Sequence, residues 1–282
     1  MKQQKRTVAI HDISCIGKCS LTVVLPVLSA AGVECSVIPT SILSSHTGDF
    51  EGYTFRDLTE DIIPILDHWS SLAFSVDAIY TGYLGSKEQT CLMEIAFERL
   101  SGPDTLLFVD PVMGDNGRLY AGFDADFPAH MVKVCHRAHI LAPNITEACL
   151  LLGRPYLAPP YSENYISHLL MELASTFSAK VVLTGVQFDE GQMGAAAFDL
   201  QDGVVHTYLK PHMPGRYHGT GDLFASALLS GLLTGFPLHD AAEVAVGFVW
   251  DAMAKTPRGH DLKYGVRFEA ALPGFMSKLG LI

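Results

Sequence analysis

In HGTGD, from His218 to Asp222, Gly219 and Gly221 open backbone angles closed to other residues, so successive amides can point at one spot. An apolar helix follows, carrying Leu223, Phe224, Ala227, Leu228 and Leu232 at helical spacing. Its positive dipole end completes an anion cradle over Gly219, Thr220 and Gly221. Asp222, in the first turn, stands where it can take a proton from a hydroxyl that attacks phosphorus. The same acid could also serve only to complement the dipole.

Two further stretches suit a cation beside phosphate. In DPVMGDNGRLY, Asp110 closes an apolar run, Pro111 stops it, and Asp115 lies in a glycine-rich loop. Such carboxylates suit a hydrated Mg²⁺ next to phosphate oxygens, although an ordinary surface loop is built from the same residue types. In APNITEACLLLG a helix opens after Pro143-Asn144 with Glu147 in its first turn. Glu147 can cap that helix or hold metal-bound water with Asp110, and the spacing allows both. SSHTGDFEGYTF, from Ser44, is a polar, glycine-rich loop that offers His46 and Thr47 to a ligand. The chain has no GxxxxGK[ST] loop and no GxGxxG after its first strand, so neither a P-loop enzyme nor a dinucleotide reader is favoured. The remaining histidines show no metal-ligand spacing.

The elements that must position these residues alternate along the chain. Apolar runs at 7–10, 35–39, 76–81, 105–110, 139–142 and 180–184 read as strands. Helical patterns follow them at 18–31, 55–68, 86–100, 127–135, 146–152 and 162–177. That rhythm predicts an α/β fold with a mainly parallel sheet and helices on both faces. Residues 192–209 read as an antiparallel hairpin around Gln201-Asp202-Gly203, and helices begin near Asp222, Leu238 and Phe268. Ligands of such sheets sit beyond the carboxyl ends of the strands, where His11-Asp12, Thr81-Gly82-Tyr83, Asp110, Asn144 and Thr184 fall. No linker or repeat divides the 282 residues, which are read as one domain, 1–282.

Composition narrows the partners. With 49% apolar residues, 17% charged residues and a formal net charge of −11, the chain lacks the basic face that nucleic acid requires. The six cysteines form no CxxC pair, as in a reduced compartment. Lys2, Lys5 and Arg6 precede a run broken at once by His11 and Asp12, so no signal peptide is predicted. The longest apolar segment, 21–33, contains Pro26 and is well short of the ~20 residues of a membrane span. A cytoplasmic protein without membrane partners is expected.

Taken together, GTGDLFASALL, DPVMGD, PNITE and SSHTG, in that fold, resemble the ribokinase-like superfamily, and within it the pyridoxal/pyridoxine/pyridoxamine (vitamin B6) kinase family. The resemblance runs over roughly residues 7 to 260. It implies an ATP- and Mg²⁺-dependent kinase that phosphorylates the 5'-hydroxymethyl group of a B6 vitamer, with no separate lid domain. Asp222 is then the catalytic base, and Gly219, Thr220 and Gly221 the anion hole. Asp110 and Glu147 organise the metal, and Asp115, Tyr120, Asn144 and Thr184 lie near the ATP phosphates. Thr47 and Tyr83 match positions that line the pyridoxal pocket, with His46 beside them. Asp12 stands where many members have a serine that touches the pyridine ring, and Ser14 follows it. The resemblance also implies a homodimer.

Two departures mark this chain. The SCIGK loop is shorter than in the animal enzymes, which bears on the ring contacts of Asp12 and Ser14. Ala142 stands where several members have threonine before Pro-Asn, which leaves a monovalent-cation site open as a further cofactor question. The competing readings are a hydroxymethylpyrimidine kinase of thiamine synthesis and a non-catalytic pyridoxal or nucleotide binder of the same fold. The first usually carries GTGC and a GGAGI-like loop, both absent here; a binder need not keep Asp110, Glu147 and Asp222 together.

Overall fold

Alternate residues of each central strand belong to two different cores, one on either face of a single sheet. Val8 and Ile10 pack on one side and Ala9 on the other; Leu107 and Val109 oppose Phe108, and Val181 and Leu183 oppose Val182. Strands buried on both faces this way read as continuous apolar runs, which is why TVAI, LLFV and KVVL could be seen in the sequence. The structure, a computed structural model, describes residues 4–72, 74–257 and 259–282.

The amino-terminal half runs β1 (Arg6–Ser14), α1 (Leu21–Ala30), β2 (Glu34–Leu43), β3 (Phe55–Asp57), α2 (Thr59–Ser70), β4 (Ala78–Thr81) and α3 (Lys87–Leu100). The middle contributes β5 (Leu106–Val109), the small hairpin β6 (Gly114–Asp115) and β7 (Arg118–Leu119), α4 (Phe127–Cys135), β8 (Ile140–Leu141), α5 (Ile145–Leu151) and α6 (Glu163–Phe177). The chain closes with β9 (Lys180–Asp189), β10 (Gln192–Phe198), β11 (Val205–Pro211), α7 (Thr220–Thr234), α8 (Leu238–Lys255) and α9 (Leu272–Lys278). Nine strands form one sheet in the order β11-β10-β9-β8-β5-β4-β1-β2-β3. The six from β9 to β2 are parallel, and β3, β10 and β11 are antiparallel additions at the edges. Among the described residues no further sheet exists beyond the β6–β7 ribbon, so the expected architecture without a lid domain is what the chain adopts. No described helix is long and apolar enough to cross a membrane.

Four local differences from the expected pattern have physical reasons. The helix expected over 55–68 begins at Thr59, because Phe55–Asp57 pairs with Ser41–Leu43 as an edge strand. The Asp57 carboxylate then accepts the Thr59 N–H at 2.7 Å and starts the helix. The first helix begins at Leu21 rather than 18, since Ser20 at φ 57° breaks the helical path. Strand β9 continues past Thr184 to Asp189, with Gly185 at φ 75° in a break in its pairing with β10. The glycine-rich 114–119 segment is the ribbon β6–β7 rather than an open loop.

Helices α7 and α8 pack closely against each other, and a Cβ on Gly231 would lie 2.9 Å from that of Ala241. This contact fixes the axis of the helix whose first turn carries Asp222. Gly231→Val should therefore push the two helices apart and destabilise the protein by about 1–3 kcal/mol, the usual cost of overpacking, measured as a lower denaturant midpoint with unchanged m-value.

Candidate active site

The polar residues named above gather at the carboxyl ends of β1, β4, β5 and β8, as the topology rule requires. The pairing of β1 with β2 slips between His11 and Ile13, and Asp12 sits in that irregularity. Neighbouring side chains that an unbroken strand would send to opposite faces can therefore meet. His11 Nδ1 lies 2.9 Å from Asp12 Oδ1, and the Ser14 hydroxyl donates to Asp12 Oδ2 at 3.1 Å. On its other side, His11 Nε2 lies 2.9 Å from Asp222 Oδ1. The second Asp222 oxygen accepts the backbone N–H of Ser20 at 2.9 Å.

His11 is the site residue that sequence reasoning passed over. Its signal was the polar pair His11-Asp12, which follows the apolar run Val8-Ala9-Ile10 at the ligand edge of the strand. The ring is almost fully buried. Burial opposes its charge, but the hydrogen bonds from Asp12 and Asp222 and their negative charges outweigh it and raise its pKa to about 10. Asp12 answers in kind: burial works against its ionisation, and His11 nevertheless holds its carboxyl below the usual range.

Close approach of backbone explains three of the glycines. Gly219 adopts φ 75° at the start of α7, and a Cβ there would lie 1.8 Å from the Lys18 carbonyl oxygen. Gly82 has no room for one either, because it would stand 2.0 Å from His11 Cδ2. Gly48 in the SSHTG loop would meet the His218 ring at 2.6 Å. The cap position of α7 carries no side-chain hydrogen bond, so the first-turn amides at Thr220, Gly221 and Asp222 are not capped by a side chain. Thr220 turns its hydroxyl back to the Tyr217 carbonyl at 3.1 Å.

Across the cleft stand the two expected metal residues. Asn144 and Glu147 form a capping box: Asn144 Oδ1 accepts the Glu147 N–H at 2.9 Å, and Glu147 Oε2 accepts the Asn144 N–H at 2.8 Å. Glu147 Oε1 accepts the Met113 N–H at 3.2 Å. The capping reading of Glu147 is thus realised. Burial, and then the charge of Asp110, push the Glu147 carboxyl well above its usual pKa. Asp110, 7% exposed, has no side-chain hydrogen bond among the described residues. Burial and the nearby Asp222 charge, opposed by His11, raise it to about 8.

A buried carboxylate with no donor, next to a second one, fits a divalent cation. Among the described residues no three His, Cys, Asp or Glu side chains could hold a metal ion by themselves.

The other expected residues fall into two groups. Tyr120 is raised well above its ordinary value, by burial first and then by the charges of Glu147, Asp115, Asp110 and Asp222, which places it amid the carboxylates. Asp115 is exposed and spends its oxygens on Asn116. Asn144 donates to the Gly114 carbonyl at 2.8 Å and bridges in parallel to Thr184. On the acceptor side, burial and then the charge of Asp12 push the Tyr83 hydroxyl up. His46 is buried with Nε2 2.5 Å from the Lys263 carbonyl oxygen, its ring 4.7 Å from that of His218. Thr47 is exposed and makes no side-chain hydrogen bond among the described residues. Asp49, not anticipated, joins this loop to the segment before Gly219 by pairing with Arg216 and His218.

The sequence profile of the phosphomethylpyrimidine kinase family matches residues 25–266. A crystal structure of a Bacteroides thetaiotaomicron protein described as a phosphomethylpyrimidine kinase, in a form with pyridoxal, is 34% identical, with a TM-score of 0.92 over 97% of this chain and 96% of that one. Pyridoxal kinase from Lactobacillus plantarum is 32% identical, with a TM-score of 0.88 over 98% of each chain. The pyridoxine/pyridoxal/pyridoxamine kinase of Bordetella avium is 29% identical over 265 residues, 88% of this chain and 84% of that protein.

Asp110 gives a test independent of turnover. Its folded-state pKa lies above its unfolded one, so the folded protein binds the extra proton between about pH 4 and 8 and loses stability as pH rises through that window. Asp110→Asn should raise the melting temperature of metal-free protein at pH 8 by several degrees, and the two curves should converge near pH 4.

Proposed function

The chain belongs to the phosphomethylpyrimidine kinase family, and from that premise we propose that it phosphorylates the 5'-hydroxymethyl group of a vitamin B6 vitamer with ATP as donor. The observation that carries this reading is the placement of Asp222. Its carboxylate is held at the open end of α7 by His11 and the Ser20 N–H, with the first-turn amides beside it and Asp110 within electrostatic reach.

An alcohol is a poor nucleophile until its proton has a destination, and the transferring phosphoryl group gathers charge on its equatorial oxygens. Asp222 supplies the destination, through a lone pair not used by His11 or Ser20. The amides of Gly219, Thr220 and Gly221 face the phosphoryl group and hold its developing charge. Asp110 and Glu147 would hold Mg²⁺, which supplies positive charge against the phosphate oxygens when bound. Asp115, Tyr120, Asn144 and Thr184 border the triphosphate. Asp12, Ser14, His46, Thr47 and Tyr83 enclose the acceptor ring; the pyridoxal form of the Bacteroides relative supports a B6 vitamer as the acceptor. A cytoplasmic homodimer belongs to the same reading.

The family description keeps one second reading in view, phosphorylation of a hydroxymethylpyrimidine. Incubation with ATP, Mg²⁺ and each of pyridoxal, pyridoxine, pyridoxamine and hydroxymethylpyrimidine, followed by product analysis, should show phosphorylated B6 vitamer as the preferred product. Preference for the pyrimidine would overturn the assignment. In the same assay Asp222→Asn should lose ~10² or more of kcat, the usual scale for a general base, while ATP still raises its melting temperature.

A further inference from the structure

Both nitrogens of one imidazole ring lie against carboxylates from opposite sides of the site, and Nδ1 also faces the backbone N–H groups of Asp12 at 2.9 Å and Tyr83 at 3.2 Å. His11 Nε2 meets Asp222 and His11 Nδ1 meets Asp12, each at 2.9 Å. The ring has little freedom to turn. Tyr80 stands edge-on at 6.2 Å between ring centroids, the Tyr83 backbone nitrogen lies 3.2 Å from Nδ1, and the Gly82 backbone closes the Cδ2 edge. Asp110 is the remaining charged group within electrostatic reach.

We propose that His11 is a positioning residue for phosphoryl transfer: its ring ties the base, Asp222, to the acceptor-side carboxylate, Asp12, and fixes the Asp222 lone pair that receives the hydroxyl proton. The inference rests on the kinase reading above. A carboxylate has about four lone-pair sites. His11 takes one on Oδ1 and the Ser20 N–H takes one on Oδ2, so the plane of the carboxylate is set and the free lone pairs have fixed directions. The Ser20 donor is itself held at φ 57°, a conformation that non-glycine residues rarely adopt and that a functional site can retain. Gly82 then has a reason beyond turn formation: any side chain there would drive the ring off Asp222. Because the same ring also anchors Asp12, acceptor placement and proton removal share one support.

The test compares His11→Gln, His11→Ala, Gly82→Ala and the double variant His11→Ala/Gly82→Ala for kcat, KM and melting temperature with ATP and pyridoxal. His11→Ala should lower kcat by about 10²-fold, the upper end for residues that orient a reacting group. His11→Gln, whose amide can still donate to Asp222, should recover about tenfold of that loss. KM for ATP should stay within about twofold, since no phosphate contact is removed. Gly82→Ala should reproduce the defect with His11 intact and add almost nothing in the His11→Ala background. If His11→Ala fails to fold, His11→Gln and Gly82→Ala carry the same comparison. A His11 variant with near-normal kcat overturns the proposal. So does an equal fall in kcat, ATP affinity and melting temperature for Gln and Ala alike, which marks a purely structural histidine. A wild-type protein that phosphorylates no acceptor sinks the kinase reading and this proposal with it, whereas an active wild type with unaffected variants sinks this proposal alone.

Discussion

Asp12, Asp110, Glu147 and Asp222 converge on one edge of a sheet, three of them nearly buried, and negative charges so placed repel one another far more than they would in water. Every other feature of the site answers that repulsion. Asp12 and Asp222 share the imidazole of His11. Glu147 takes two backbone N–H groups, and Asp222 takes one from Ser20. Among the described residues Asp110 receives no side-chain donor, and burial and then the Asp222 charge raise its proton affinity. That position is where a divalent cation, as proposed above, would restore the balance.

Chain geometry makes that convergence possible. Parallel strands present their carboxyl ends on a common edge, so residues far apart in sequence become neighbours without long loops. The approach is tightest where α7 meets the loop before α1. Gly219 lies against the Lys18 carbonyl, and Ser20 reaches Asp222 from the same loop. A side chain at Gly219 or at Gly82 would move Asp222 or His11 off its partner, so the glycines of GTGD and TGY define distances within the site as well as turns.

Much of this was legible in the sequence. Buried parallel strands announce themselves as short β-branched runs, and GTGD, DPVMGD and PNITE mark the ends of elements by their glycines, prolines and first-turn acids. What was not legible depends on contacts between distant segments. His11 looked like one of many scattered histidines, because the slip between β1 and β2 that turns it toward Asp12, and the approach of α7 that brings Asp222 to it, have no local signature. Residues 55–57 read as the start of a helix, since their strand character comes only from pairing with β2. Glu147 could not be resolved between cap and ligand by spacing; the coordinates show that it caps the helix while remaining beside Asp110.

The energetics of the two sides of the cleft differ, and the difference has a functional sense. Asp222 and Glu147 are held by buried and part-buried hydrogen bonds, where loss of one partner leaves a costly unpaired group. The loop around His46 and Thr47 is tied to the segment before Gly219 by Asp49, which pairs with the exposed Arg216 and the largely buried His218, and by the His46 ring packed on His218. Exposed pairs such as that with Arg216 contribute little, about 0–1 kcal/mol. Under the proposed function, discrimination among acceptors that share one hydroxymethyl group but differ at a single exocyclic position would fall to the loop around His46 and Thr47.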